Sequence, residues 1–134
     1  MSELNGSKKY SALAISGLLT AAFLMAGASK IAGTEEMVMN FQRWGFPLFF
    51  LYVVGFSEIG LAIGLWIPGI SGFSALGLIG LMAGGVGTHL IAGELNAVGP
   101  SIALGCLSAI IFWIRFPQTK DLFFQYRKAI LEKS

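Results

Sequence analysis

The chain has 134 residues, 55% of them hydrophobic and only 12% charged, with a formal net charge of +2 and a mean hydropathy of +0.75. A soluble domain is about a quarter charged, so this composition excludes a surface that faces water all round. Its 13% aromatic content, with so little charge, is the reverse of a disordered composition.

Four stretches carry no Asp, Glu, Lys or Arg: 10–29, 44–57, 59–93 and 95–114. A hydrocarbon core of about 30 Å takes roughly 20 apolar helical residues, which makes the first and last stretches one span each. The first span, about 10–30, follows Lys8 and Lys9 and carries Ala26-Gly27-Ala28, features shared with a secretory signal. Its apolar run exceeds the roughly 7 to 15 residues of a signal core, so it reads as a retained span. Ala14, Gly17 and Ala21 give it a small-residue face.

Residues 34–45 then read as a short interfacial helix. Thr34 suits the N-cap, Glu35 and Glu36 suit the positive end of the helix dipole, and Gly45 before Phe46-Pro47 is a stop. Met37, Phe41 and Trp44 share one face. That face serves either as an anchor in the interface, where Trp is favoured, or as a lid over the helices.

The long charge-free stretch is divided by the turn-forming run from Ile67 to Gly72. The second span is therefore expected over 47–67 and the third over 73–93. Gly60 and Gly64 in one, and Gly77, Gly80, Gly84 and Gly87 in the other, have the spacing by which membrane helices approach closely. Their role is packing within the bundle or between subunits. The fourth span is expected over 99–116, with a basic tail over 117–134. Leu122, Phe123, Tyr126 and Ile130 in that tail are spaced for an interfacial helix, whose cations rest against anionic lipid rather than nucleic acid.

The expected fold is all-α: a four-helix transmembrane bundle with a short interfacial helix between helices 1 and 2. Lys8, Lys9, Arg115, Lys120, Arg127, Lys128 and Lys133 fall on the side of the termini, and Lys30 and Arg43 on the other. By the distribution of Lys and Arg, both termini are expected in the cytoplasm of a cell whose inner membrane, a bacterial one, holds the protein.

Glu58 lies halfway along the second span, where an ionisable group is costly and belongs in the bundle interior. Gly55 and Ala62 share its face and would let a neighbour or a ligand come near. His89 near the end of helix 3 and Lys30 at the end of helix 1 share the outer half of the membrane with it, and Ser57, Thr88, Glu94 and Asn96 are secondary members. Depth follows from topology, whereas azimuth does not: His89 points about 140° from the glycine stripe of a regular helix. Two readings follow. Either a buried ion pair of Glu58 with Lys30 or His89 fixes helix register, or the three floor a pocket that takes a quinone-like or lipid-like molecule and moves protons. One histidine and one cysteine are too few for a zinc or copper site. Cys106 alone permits no disulfide or CxxC cycle, and no phosphate loop or nucleophile elbow is present. No catalytic residue is therefore assigned.

Ser29-Lys30-Ile31-Ala32-Gly33, Phe41 with Trp44-Gly45-Phe46-Pro47, Val54-Gly55-Phe56-Ser57-Glu58-Ile59-Gly60 and Thr88-His89-Leu90 together resemble the DoxX-like family of small four-helix membrane proteins, over about residues 11–115. The resemblance implies an association with quinone-linked sulfur oxidation, membrane oxidoreductase complexes or, in distant relatives, chaperoning of membrane proteins. Lys30, Glu58 and His89 match recurrent polar positions of that family. The leading expectation is a non-enzymatic or accessory subunit that binds quinone or lipid in the outer half of the bundle and is linked to membrane redox chemistry. The alternative is an assembly factor or chaperone-like subunit that packs on a membrane-protein partner or a second copy of itself. A transporter fits less well, since no inverted repeat or pair of broken helices is evident.

Overall fold

The computed structural model describes residues 4–134. The fold is all-α: α1 (Gly6–Ile31), α2 (Glu35–Arg43), α3 (Leu48–Gly64), α4 (Ser71–Ile91), one 3-10 turn (Leu95–Ala97) and α5 (Val98–Lys133). α1, α4 and the segment from Leu95 to Lys133 are each long and apolar enough to cross a membrane. α3 has 17 residues, about 25 Å at 1.5 Å per residue. It meets the same standard jointly with α2, from which it is bent by 117°, so the count reaches four when the bent pair is taken as one span. Helices suit this sequence because hydrocarbon offers no water to satisfy backbone groups.

Three of the helices end in the same way. In α1, α2 and α4 a glycine follows the C-cap at positive φ: Gly33 (63°), Gly45 (80°) and Gly93 (73°). The next residue's N–H reaches back to a carbonyl of the last turn, Thr34 to Ser29 (3.2 Å), Phe46 to Phe41 (2.9 Å) and Glu94 to His89 (2.8 Å), which is the Schellman arrangement. At Gly93 this closure has a chemical consequence, because it folds Glu94 back beside His89. At the start of α2, the Thr34 side chain makes no capping bond; its backbone carbonyl instead accepts from Val38 N–H at 3.0 Å.

Buried Leu19, Phe23, Ala62, Leu65, Leu78 and Ile111 form the core. α1 and α3 cross tightly where Gly27 meets Gly55: a Cβ on Gly27 would lie 2.8 Å from the Gly55 carbonyl oxygen, and one on Gly55 would lie 3.0 Å from that of Gly27. α3 and α4 meet toward the terminal end of the bundle, where Gly64 abuts Ser74 and Gly77 lies against Leu61. A Cβ on Gly60, Gly80, Gly84 or Gly87 would meet nothing within 4 Å. These four therefore make no close helix contact within the chain, since small-residue spacing says nothing of what stands opposite. Toward the α2 end, α3 and α4 diverge.

α5 runs unbroken through Pro117 for 36 residues, where the sequence reads a span ending at 116 and a separate tail. Proline removes one helical donor, but the next turn is held from outside. Buried Thr119 accepts a hydrogen bond from Gly72 N–H through Oγ1 at 3.1 Å, and Gly72 leaves just enough room for that side chain.

Candidate functional site

A largely buried ion pair joins α1 to α3. Gly55 lets the stem of Lys30 pass against α3, with space for a Cβ only 2.9 Å from Lys30 Cβ. Lys30 Nζ then donates to both carboxylate oxygens of Glu58, at 3.2 Å to Oε1 and 3.0 Å to Oε2. A lysine at the end of a membrane helix ordinarily extends toward the headgroups. Here it turns back along its own helix, with Nζ 3.5 Å from the Ala26 carbonyl. The side chains are 13% and 4% exposed, so the pair is largely screened from solvent.

A second polar group lies at the α2 end, centred on Glu94. Its carboxylate accepts from Trp44 Nε1 at 3.2 Å, lies 2.8 Å from His89 Nδ1 and pairs with the Arg43 guanidinium. Arg43 also donates to Asn40 Oδ1 at 3.1 Å. The Trp44 and His89 rings meet edge to face, with centroids 5.2 Å apart at 89°. The His89 hydrogen bond, aided by Trp44 and Arg43 and opposed by partial desolvation, holds the Glu94 carboxyl below its ordinary value. This group ties the end of α2 to the end of α4, so the short helix is pinned over the bundle.

Between the two polar groups lies a cavity of about 490 Å³. Lys30 and Glu58 line it from α1 and α3, and Thr88 and His89 from α4. Met37, Phe41 and Trp44 of the α2 region close one side, and Phe46, Phe50 and Val54 continue that wall onto α3. Phe41 packs with Trp44, Phe46 and Phe50 at centroid distances of 5.4 to 6.2 Å. Gly80 and Gly84 face the cavity, which explains their open surroundings: the missing side chains are part of its volume. A wider, shallower polar depression of about 690 Å³ adjoins it, lined by Arg43, Glu94 and Asn96. Asn40, Trp44 and His89 belong to both walls, so they partition an apolar interior from a polar mouth.

Lys30, Glu58 and His89 thus border one cavity, but only Lys30 and Glu58 are bonded to each other; the ring of His89 is engaged by Glu94. Ser57 turns away and donates to the Val53 carbonyl at 2.7 Å. Thr88 lines the cavity while its hydroxyl donates to Gly84 O at 2.8 Å. Glu94 and Asn96 belong to the outer depression rather than the interior. The roles of Arg43, Asn40 and Phe50 carry no signal in the sequence beyond residue type. Cys106 is exposed on α5, and among the described residues no three His, Cys, Asp or Glu gather where they could hold a metal ion.

The family model described as the DoxX-like family matches residues 14–111, a segment that contains every residue bordering this cavity. No curated protein and no solved structure matches the chain.

Proposed function

The chain belongs to the DoxX-like family as an integral membrane protein, and from that premise we propose that it is an accessory subunit that binds an amphiphilic small molecule, quinone-like or lipid-like, in the outer half of the bundle of a bacterial inner membrane. The observation that carries this reading is the cavity between the two polar groups. Its volume of about 490 Å³ falls within the range of roughly 300 to 1,000 Å³ usual for ligand pockets. Its walls are aromatic and aliphatic, and its few polar groups stand at opposite ends, which suits a ring bearing an oxygen at each end or a lipid headgroup with its chain alongside.

The Lys30–Glu58 pair presents a polar surface at one end and His89 an imidazole at the other, with Glu58 offsetting the ammonium charge. A bound quinone would supply reversible two-electron chemistry; the protein's part is to orient the ring, exclude water and hold protons at Glu58 and His89. The α2 region acts as the lid. Both termini then lie in the cytoplasm.

Protein purified in mild detergent is expected to carry extractable quinone or lipid, identified by mass spectrometry. Glu58→Gln and His89→Ala should lower the occupancy. Gly84→Leu should abolish it, by filling the cavity from a position where a Cβ meets nothing within 4 Å. Unchanged occupancy in all three folded variants would overturn the proposal.

The alternative, a partner-binding assembly subunit, draws support from Gly60 and Gly87, which have open space where a helix of another chain could approach. In that case Gly60→Leu should remove a stoichiometric crosslinked partner while leaving ligand occupancy intact.

A further inference from the structure

At the opposite end of the bundle, Leu4 and the first turns of α1 enclose with the middle of α5 a notch of about 270 Å³, lined by Leu4, Lys9, Leu13, Arg115 and Gln118. Among the described residues it has two cationic side chains and no carboxylate in its lining. Arg115 is held for recognition: Nη1 donates to Gln118 Oε1 at 3.1 Å, which fixes the plane of the guanidinium. Its Nε is buried without a hydrogen-bond partner among the described residues. Arg115 lines the notch all the same, so phosphate or carboxylate oxygens meet its charge at the terminal nitrogens of the guanidinium.

Depth selects among acceptors. Tyr10 is 73% exposed and Trp113 is 69% exposed, and they flank the notch in sequence on the two helices that form it. Lys8 Nζ lies over the Trp113 ring, 5.1 Å from its centroid. Exposed Tyr and Trp favour the level of the lipid headgroups, where phosphates are abundant. Leu4 and Leu13 add apolar wall beside the cations, as a headgroup continuous with acyl chains requires. A freely soluble anion would have no use for that wall.

We infer that the notch formed by Lys9, Arg115 and Gln118 is a binding site for a phosphate group, supplied by the headgroup of an anionic phospholipid in the leaflet that faces the chain termini. Arg115 pairs with the phosphate through its terminal nitrogens, Lys9 neutralises the remaining charge, and Gln118 positions the guanidinium. The site is separate from the cavity under α2, and its lipid is a structural ligand of the bundle.

The test uses the full chain in nanodiscs of phosphatidylcholine with a minor fraction of phosphatidylglycerol, followed by native mass spectrometry of the retained lipid. Wild-type protein should retain phosphatidylglycerol preferentially. Lys9→Gln and Arg115→Gln should each reduce the preference about fivefold, the scale of one basic residue at an anionic surface. Gln118→Ala, which keeps both charges, should also reduce it, and Lys120→Gln should not. Inorganic phosphate added in excess should fail to displace the lipid. Displacement by phosphate would overturn the assignment to a lipid. Equal losses in Lys120→Gln and Lys9→Gln would show diffuse attraction and overturn the site. Should Arg115→Gln fail to fold, Lys9→Gln and Gln118→Ala still decide the matter.

Discussion

The two polar groups that bracket the cavity are built on opposite principles. Glu58 relies on one partner: both of its oxygens face the same ammonium, in a place shielded from solvent. Glu94 is shared among Arg43, His89 and Trp44, with Arg43 57% exposed. Depth accounts for the difference. A charge inside the bundle is stabilised chiefly by its counter-charge, so that pair fixes how α1 and α3 meet. A charge near the surface has water as a further partner and can be held by several weaker bonds, any of which can open while the rest persist. The inner pair is therefore suited to fixed architecture and the outer group to movement over the cavity mouth.

The largest expected effect comes from breaking the inner pair on one side. Lys30→Met leaves Glu58 in the bundle without its cation, and removing one member of a buried pair costs about 3 to 5 kcal/mol. Denaturation in detergent micelles should show a loss of that order. The double variant Lys30→Met with Glu58→Gln should recover part of it, because no uncompensated charge remains. If the two single losses simply added in the double variant, the pair would not be the unit described here.

Next in size is the crossing that places the pair. In Gly55→Ala the new methyl would lie 2.9 Å from Lys30 Cβ and 3.0 Å from the Gly27 carbonyl, so α1 and α3 must separate. Overpacking of this kind costs about 1 to 3 kcal/mol. Gly60→Ala, on the same helix but facing open space, should cost nothing measurable in the same unfolding assay. A loss equal to that of Gly55→Ala would mean that small size along α3, rather than the crossing point, matters.

These two glycines also show how far the sequence is legible. Charge gaps are set by the lipid solvent itself, so the all-α architecture and the isolation of Glu58 can be read directly. Gly55 on the face of Glu58 carries a local signal for close approach. The stripe of Gly77, Gly80, Gly84 and Gly87 does not reveal its own use, because absence of a side chain serves contact at Gly77 and empty volume at Gly80 and Gly84. Depth could place Lys30 near Glu58, but their contact depends on the lysine turning inward past Gly55. The Arg43, Trp44 and Glu94 contacts join residues about 50 positions apart, and nothing in either segment encodes the other. Pro117 misleads because a local helix breaker is overridden by the tertiary bond from Gly72 to Thr119.

A smaller effect is expected at the outer group. Trp44→Phe keeps the aromatic wall but removes the indole N–H that Glu94 accepts. A typical hydrogen bond contributes about 0.5 to 1.5 kcal/mol, somewhat more to a charged acceptor, and here two other partners remain. Global unfolding should hardly move. Amide exchange across α2 should accelerate severalfold, because the end of that helix loses one of its ties to α4. Equal acceleration in α2 and α4 would mean that the variant loosens the whole bundle.

The smallest effect is that of acid, and its sign follows from Glu94. Its carboxyl is held below the ordinary value of 4.5, first by the His89 hydrogen bond. A group whose folded value is depressed contributes stability in full above its unfolded value and loses it as pH falls through the folded one. The contribution of the Glu94 charge to tethering α2 should therefore be full above its unfolded value and weaken below 4.5 as Glu94 takes up a proton and Arg43 loses its counter-charge. Since the group is partly exposed, solvent and salt screen the effect. Exchange rates in α2, corrected for the intrinsic pH dependence of amide exchange, are the appropriate readout. Wild-type protein should show the extra loosening and Glu94→Gln should lack it, being loosened already at neutral pH. The same acid step in both proteins would place its origin elsewhere and remove the distinction between a fixed inner pair and a releasable outer one.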